Sequence, residues 1–328
     1  MKYIPLALFF LTGIYSDSLA LDKVNARLYA HAQHYKEGNI DFDHLHDYLV
    51  EPTQTQGERV EIFYYWMAQN VVYDVRSYQS GAYLTNKNSV LETKRGVCED
   101  YANLFQRFCD RSGIECYKVS GFAKGFSYEQ GDKLEINHAW NVVKVNGKYQ
   151  FVDITWGSGY VDYNRYGRLI YYPELSLDQV LTQSNEFREK HLPAHPMWQL
   201  TESPIRYDKF VRYENFAEMR SSYKTGFEYL ESISKFAKLP KPEQEIMEAV
   251  GMYRFHADPE TALRAAFAFH EQAQELALGT YYRENLIKAK RYYQQALKYY
   301  EKTSTNPSYI QNAKEGVTYC EQRLELKR

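Results

Sequence analysis

Three residues have the side chains and the surroundings that nucleophilic catalysis requires. Cys98 lies in GVCEDYANLF, His138 lies in INHAW and Asp153 lies in FVDITW. A cysteine thiolate attacks a carbonyl carbon when a nearby imidazole takes up the thiol proton, and a carboxylate orients that imidazole and stabilises its charged form. The three side chains together predict acyl transfer through a thioester.

Cys98 stands at the start of a predicted helix, on one stripe with Ala102, Phe105 and Cys109. The free N–H groups and the positive dipole end of a helix N-terminus both favour the thiolate form. A cysteine on an apolar helical stripe is nevertheless usually a small core residue, so the catalytic interpretation requires a partner base.

The predicted base and its orienting acid come from one β-hairpin, INHAWNVVKVNGKYQFVDITWGSG. The Asn-Gly dipeptide at 146–147 predicts a two-residue turn between antiparallel strands. With that turn, His138 would face Thr155, and Asp153 would face Trp140. His138 and Asp153 would then be diagonal neighbours on one face, with Cβ atoms roughly 7 Å apart. A structural His-Asp pair without catalysis is the alternative.

Other elements must hold these segments in place. Apolar residues recur with helical spacing at about 22–50 and again from Gln56 onward, and a loop is predicted at 77–88. The helix that begins near Cys98 is predicted to end at Gly113, and CYKVSGFAKGF is predicted to be a strand. Helices and antiparallel strands together indicate an α+β domain.

A second, all-α module is predicted after residue 205. HLPAHPMWQLTESP contains Pro193, Pro196 and Pro204, which neither a helix interior nor a central strand tolerates. The predicted domains are therefore 21–205 and 206–328. Similar motifs, VGMY and LGTY, enter two helices of the second domain, which leaves a tetratricopeptide-like repeat and stacked helical hairpins of no particular family as alternatives.

The first 20 residues predict export. A lysine, the apolar run YIPLALFFLTGIY and the small residues Ser18 and Ala20 have the order of a signal peptide, and the run is too short to span a bilayer. We therefore expect the periplasm, the cell envelope or the extracellular medium, and no stable membrane span. The net charge of −2 without a basic stripe argues against a nucleic-acid partner.

Four cysteines are too few for a disulfide-built scaffold of 328 residues. Cys109 and Cys116 could form a disulfide or remain two separate buried thiols, and the sequence leaves both open. The cluster from Asp43 to Asp47, which includes His44 and His46, has no recognised metal spacing and is predicted to be solvated surface. No metal and no cofactor are expected.

The segments around Cys98, His138 and Asp153, with VSGFAKG between them, resemble the transglutaminase-like superfamily of papain-like folds. The resemblance is greatest to the branch of kyphoscoliosis peptidase and a related cytokinesis protein, and it extends from about residue 24 to 205. It implies a helix bearing the nucleophile packed on an antiparallel sheet, with these three residues as the catalytic triad. No family resemblance was found for residues 206–328.

Attack on a carbonyl also requires donors for the oxyanion. The backbone N–H of Cys98 is the expected first donor. The indole N–H of Trp66 is a candidate second donor, although a tryptophan at helical spacing is more often a core residue. Trp140 and Trp156 flank the predicted base and acid, and either the wall of a cleft or ordinary packing would explain them.

The predicted function is hydrolysis of amide bonds in a protein or peptide substrate. Transamidation, in which an amine replaces water as the acceptor, uses the same residues and is the first alternative. A non-catalytic scaffold is the alternative from another class, because a fold does not fix a function and C-terminal helices suit docking of a protein partner.

Overall fold

The computed structural model describes residues 25–35, 40–80, 89–220, 226–278 and 282–326. These residues form two compact units. The first consists of the described parts of Met1–Val119, Gly125–Ser127 and His138–Arg188. The second consists of the described parts of Ser120–Lys124, Tyr128–Asn137 and Glu189–Arg328. The predicted signal peptide lies outside the described residues. The boundary near residue 205 stays a prediction.

Helices of the first unit begin where the sequence supplies a capping side chain. Thr55 and Glu58 form a reciprocal capping box, and the carboxylate of Asp41 accepts a hydrogen bond from the backbone N–H of His44 at 2.9 Å. The helices up to residue 190 are α1 (Ala26–His34), α2 (Phe42–Val50), α3 (Gln56–Asn70), α4 (Val75–Ser80), α5 (Ser89–Thr93), α6 (Cys98–Arg111), α7 (Ile154–Ser158) and α8 (Asn185–Lys190).

Two predicted segments differ from the structure. The helical pattern at 22–50 gives two helices, because Asp41 is extended and caps the second one. The predicted loop at 77–88 is wrong for residues 77–80, which belong to α4 because the carboxylate of Asp74 binds both the backbone N–H and the hydroxyl of Ser77. Residues 81–88 lie outside the described part of the chain.

The predicted hairpin forms with the predicted turn. Asn146 and Gly147 both have positive φ, 51° and 77°, as the tight turn requires. The strands are β1 (Val72–Tyr73), β2 (Arg95–Gly96), β3 (Cys116–Ala123), β4 (His138–Val145), β5 (Lys148–Val152), β6 (Gly159–Tyr163), β7 (Leu169–Pro173) and β8 (His191–Pro193). β4 and β5 form the hairpin and β3 lies beside β4, while the last residues of β3 pair with β8 within the second unit.

The hairpin register is confirmed from the turn as far as the pair Asn141 and Val152. Beyond that pair the prediction is wrong. β5 ends at Val152, so Asp153 does not face Trp140 in a ladder, and Thr155 lies in α7 instead of facing His138. The reason is local, because the Asp153 carboxylate caps α7 and thereby starts a helix where the strand would have continued.

The core of the first unit lies between α3, α6 and β4. Phe63 of α3 stacks on Phe108 of α6 with ring centroids 4.9 Å apart, and Phe105 and Val143 are fully buried beside them. This packing fixes the helix that begins at Cys98 against the strand that begins at His138.

The described part of the second unit after residue 205 contains no strand. Its helices are α9 (Tyr207–Arg212), α10 (Phe216–Arg220), α11 (Tyr229–Ala237), α12 (Lys241–Phe255), α13 (Pro259–Leu278), α14 (Arg283–Tyr300) and α15 (Pro307–Glu325). Consecutive helices from α12 to α15 pack against each other, and Gly316 leaves room for the ring of Tyr293. The predicted fold class, an α+β part followed by helices, is confirmed. The tetratricopeptide-like repeat stays a prediction, since residues 279–281 of its second motif are not described.

Among the described helices, none combines the length and the apolar character that crossing a bilayer would require.

Candidate active site

The three predicted catalytic residues all lie in the first unit. Cys98 is the first residue of α6 and is partly exposed. His138 is the first residue of β4, and Asp153 immediately follows β5. Both side chains are buried, with 6% of His138 and none of Asp153 exposed. The structure therefore brings one end of a helix and two ends of a hairpin to the same place.

Hydrogen bonds of the first turn of α6 hold the backbone at the N-terminus of that helix. Val97 precedes the helix in an extended conformation, and its backbone N–H donates to Oδ2 of Asp100 at 2.9 Å. Gly96 must be a glycine for this arrangement, because a Cβ there would lie 2.6 Å from the Cβ of Asp100. The backbone N–H of Asp100 donates to the carbonyl of Val97 at 2.9 Å, whereas the N–H of Cys98, at the first position of the helix, has no carbonyl one turn earlier within the helix to accept its hydrogen bond.

The carboxylate of Asp153 is held on both sides. Its Oδ2 lies 2.7 Å from Nε2 of His138, and its Oδ1 accepts a hydrogen bond from the backbone N–H of Trp156 at 3.1 Å. The backbone N–H of Asp153 donates to the carbonyl of Gln179 at 2.8 Å. Because both oxygens are engaged, the carboxylate has one orientation, and it fixes the orientation of the imidazole in turn.

The imidazole of His138 also forms a hydrogen bond with the thiol of Cys98. With Nε2 bound to Asp153, Nδ1 is the ring nitrogen that remains for the sulfur. Burial by itself lowers the pKa of His138, but the charge of Asp153 and the hydrogen bonds to Asp153 and Cys98 outweigh it and raise the pKa to about 10. An imidazolium ion is thus favoured between the carboxylate and the sulfur.

Two tryptophans surround the imidazole. The ring of Trp140 lies 5.7 Å from that of His138, and the ring of Trp156 lies 5.4 Å from it on the short helix α7. Trp140 is 1% exposed and packs into the interior, whereas Trp156 is half-buried. Trp140 therefore covers the imidazole within the interior, whereas Trp156 lies beside it with part of its surface exposed.

Trp66 lies in the core. It is 1% exposed and packs edge-on against Phe108, with ring centroids 5.9 Å apart. Phe108 is about 15 Å along the helix axis from Cys98, at 1.5 Å per residue. This contact supports the packing interpretation of Trp66, and the second oxyanion donor stays unassigned.

Asn141 links the segments of the base and the nucleophile and is not among the residues predicted from the sequence. This residue of β4 is 1% exposed, and its Nδ2 donates to the backbone carbonyl of Ala102 in α6 at 3.0 Å. Ala102 lies one helical turn from Cys98, so the bond ties the strand of the base to the helix of the nucleophile. The available signal was a lone amide in the apolar run AWNVVKV, since a buried amide needs a partner.

Within the acidic and histidine cluster of α2, Asp43, His44 and Asp47 are exposed, as predicted. His46 is buried, contrary to the predicted solvated surface, with Nδ1 3.0 Å from Oδ1 of Asp47 and Nε2 2.8 Å from Oγ of Ser112. Ser112 is the C-cap of α6, so its contact with His46 joins α2 to the end of α6. This trio therefore anchors the end of the nucleophile helix.

The chain is similar to known proteins, and one of the matches includes the candidate site. A family model described as the transglutaminase-like superfamily matches residues 43–154, which include Cys98, His138 and Asp153. Human kyphoscoliosis peptidase is 34% identical over 171 residues, 51% of this chain and 25% of that protein.

The same name is given to a mouse protein that is 35% identical over 165 residues, 49% of this chain and 24% of that protein. The Lim and transglutaminase domain protein ltd-1 of Caenorhabditis elegans is 28% identical over 140 residues, 39% of this chain and 19% of that protein. The chain thus spans a quarter or less of the length of these relatives.

Proposed function

Because the chain contains a domain of the transglutaminase-like superfamily, we propose that it is a cysteine-dependent enzyme that hydrolyses amide bonds of proteins or peptides. One observation carries the proposal. The imidazole of His138 is held by the carboxylate of Asp153 at 2.7 Å and hydrogen-bonds the thiol of Cys98. Buried charge pairs of this kind are costly to maintain, and a catalytic role accounts for the cost.

The proposed reaction begins with attack of the Cys98 thiolate on the amide carbonyl. Negative charge develops on the carbonyl oxygen, and the backbone N–H of Cys98 lies at the helix terminus where such charge is stabilised. The imidazolium of His138 then protonates the leaving nitrogen, and a thioester remains on the sulfur. Asp153 keeps the ring oriented and stabilises its charged form throughout.

The second half of the proposed reaction decides between hydrolysis and transamidation. His138, now neutral, takes a proton from water as the water attacks the thioester, and the acid product leaves. An amine that enters in place of water gives a new amide instead. Water is abundant and Cys98 is partly exposed, which favours hydrolysis. The name peptidase given to the human and mouse relatives agrees with this choice.

Export of the chain and docking of a protein partner by the C-terminal helices are further parts of the proposal. Export depends on the signal-like pattern of the first 20 residues. Docking depends on the seven described helices that follow residue 205, from α9 to α15. Detection of the mature N-terminus after secretion in the native host tests the first statement.

Trapping of the acyl-enzyme tests the proposed chemistry. The protein is incubated with a library of peptide esters and amides, quenched in acid and examined by intact mass and peptide mapping. We expect a thioester at Cys98 in the wild type, none in Cys98→Ala, and slow formation in His138→Ala. Addition of glycine methyl ester during turnover then distinguishes acid product from amide product.

A wild type that forms no adduct with any member of the library, while a reference cysteine peptidase is acylated in the same assay, would favour the non-catalytic scaffold. Formation of the same adduct in His138→Ala at the wild-type rate would contradict the assigned base.

A further inference from the structure

A strip of aromatic side chains leads away from the catalytic histidine within the first unit. Trp156, whose ring lies 5.4 Å from that of His138, is its first member. Gly125 packs against the edge of Trp156, since a Cβ there would lie 3.3 Å from Cζ2. The next residue, Phe126, lies 5.5 Å from Tyr163 between ring centroids. We call Trp156, Phe126 and Tyr163 the aromatic strip.

The exposure of the aromatic strip increases with distance from the base. Trp156 and Phe126 are half-buried, and Tyr163 is 59% exposed. Rings that served only the core would be buried like Trp140, which also contacts His138 and is 1% exposed. Partly exposed rings that begin beside His138, and that Gly125 connects to Phe126 along the chain, are instead suited to bind a ligand.

The strand that carries Tyr163 also offers backbone groups. Among the described strands β6 pairs only with β7, so its other edge can bind an extended chain, except at the N–H of Tyr163, which already donates to Oδ1 of Asp162 at 2.6 Å. β6 begins at Gly159, directly after α7, whose N-cap is Asp153. A peptide paired along this edge would therefore lie beside the catalytic residues.

We propose that the aromatic strip is a substrate subsite that takes an apolar or aromatic side chain of an extended polypeptide, adjacent to the amide that Cys98 attacks. The proposal deepens the function proposed above and depends on it. The occupant is the polypeptide substrate itself, because the strip is continuous with the catalytic histidine. A polar or glycine residue at the same substrate position would leave the strip uncovered and would bind less well.

Selective labelling of Cys98 tests the subsite without knowledge of the natural substrate. The probes are the chloromethyl ketones of acetyl-Phe-Gly and acetyl-Gly-Gly, which alkylate a cysteine as chloride leaves, and iodoacetamide as the untargeted reagent. The measured quantity is the second-order rate constant of each ketone, divided by that of iodoacetamide for the same variant. Burial of one phenyl ring against other rings predicts a preference of about tenfold for the phenylalanine probe.

Three variants complete the test. Phe126→Ala and Tyr163→Ala should both reduce the preference for the phenylalanine probe toward one. Tyr163 is 59% exposed, so its replacement removes little core packing. Tyr166→Ala is the matched control, because Tyr166 is 70% exposed in the turn between β6 and β7 and is not a member of the aromatic strip. It should keep the preference of the wild type.

The outcomes separate this inference from the proposed function. A wild-type preference near one, or an unchanged preference in both strip variants, would overturn the subsite even if iodoacetamide labels Cys98 rapidly. Slow labelling of Cys98 by all three reagents, including iodoacetamide, would overturn the proposed function and the subsite with it.

Discussion

Replacement of Asn141 should separate positioning of the catalytic pair from general stability. Asn141→Leu keeps the branched shape and the number of heavy atoms of the side chain but removes the hydrogen bond to the carbonyl of Ala102. That carbonyl retains its helical partner, so no acceptor is left unsatisfied. We expect a loss of about 1 kcal/mol in the free energy of unfolding. For a unit of this size that is a decrease of about 2–4 °C in Tm.

The effect on Cys98 should be larger than the effect on stability. The hydrogen bond of Asn141 is a direct side-chain link between β4, which begins at His138, and α6, which begins at Cys98. Displacement of reacting groups by about 1 Å costs on the order of a hundredfold in rate. We therefore expect iodoacetamide to label Cys98 at least about tenfold more slowly in Asn141→Leu at pH 6.5, well below Tm.

Tyr101→Phe is the matched control. The hydroxyl of Tyr101, also on α6 and 1% exposed, donates to the carbonyl of Val71 at 2.7 Å. Its loss should lower Tm by a similar amount but leave labelling within about twofold. Asn141→Asp adds a second check, because its protonated acid can donate to the Ala102 carbonyl, so its labelling rate should approach that of the wild type at the same pH as the pH falls. Equal losses of labelling in Asn141→Leu and Tyr101→Phe at equal Tm would refute the positioning role.

Further predictions concern the charge pair and the glycines around it. Asp153→Asn keeps the cap of α7 but removes the negative charge beside His138. The rate of iodoacetamide labelling at Cys98 should therefore fall by about tenfold or more, while Tm changes little. A labelling rate equal to that of the wild type would contradict the role of the carboxylate. Because the pKa of His138 is raised from 6.5 to about 10, the stability that its charged form contributes is complete below pH 6.5 and lost as the pH rises to about 10. The free energy of unfolding, measured by urea titration, should therefore fall over this range on the order of a few kcal/mol more in the wild type than in His138→Gln. Gly157→Ala should lower the free energy of unfolding by about 1–3 kcal/mol, because a Cβ would lie 1.7 Å from the buried hydroxyl of Tyr64. Gly57→Ala, where a Cβ would make only ordinary contacts in α3, should leave the stability unchanged or raise it. Equal Tm values for the two variants would contradict the clash at Gly157.

The residues of the candidate site could be identified from sequence because each depends on a short-range pattern. A helix start places Cys98, and an Asn-Gly turn fixes the pairing of β4 with β5 as far as Asn141 and Val152. The predicted pairing is wrong from the next residue, because Asp153 caps a helix there and the strand does not continue. The predicted contact between His138 and Asp153 is nevertheless present, because the carboxylate that caps α7 also reaches the imidazole.

Residues that act through tertiary contacts could not be placed from sequence. The partner of Asn141 lies 39 residues earlier in the chain, and the contact between Phe126 and Tyr163 joins a loop to a separate hairpin. Periodicity describes one element at a time, so it neither distinguishes Trp66 in the core from Trp156 beside the base nor indicates which buried amide links two elements.

The central claim, that His138 activates Cys98, is tested most directly by the pH dependence of iodoacetamide labelling at Cys98 in the wild type and in His138→Ala. The other three cysteines are buried, so labelling of the folded protein reports on Cys98. Peptide mass spectrometry quantifies the adduct, and rapid labelling at about pH 9.5, where ordinary thiols are ionised, establishes that the sulfur is accessible. We predict rapid labelling of the wild type already at about pH 6 and slow labelling of the variant until the pH approaches the ordinary thiol value of about 8.5. Two identical profiles, both slow at pH 6 and rapid at pH 9.5, would contradict the claim.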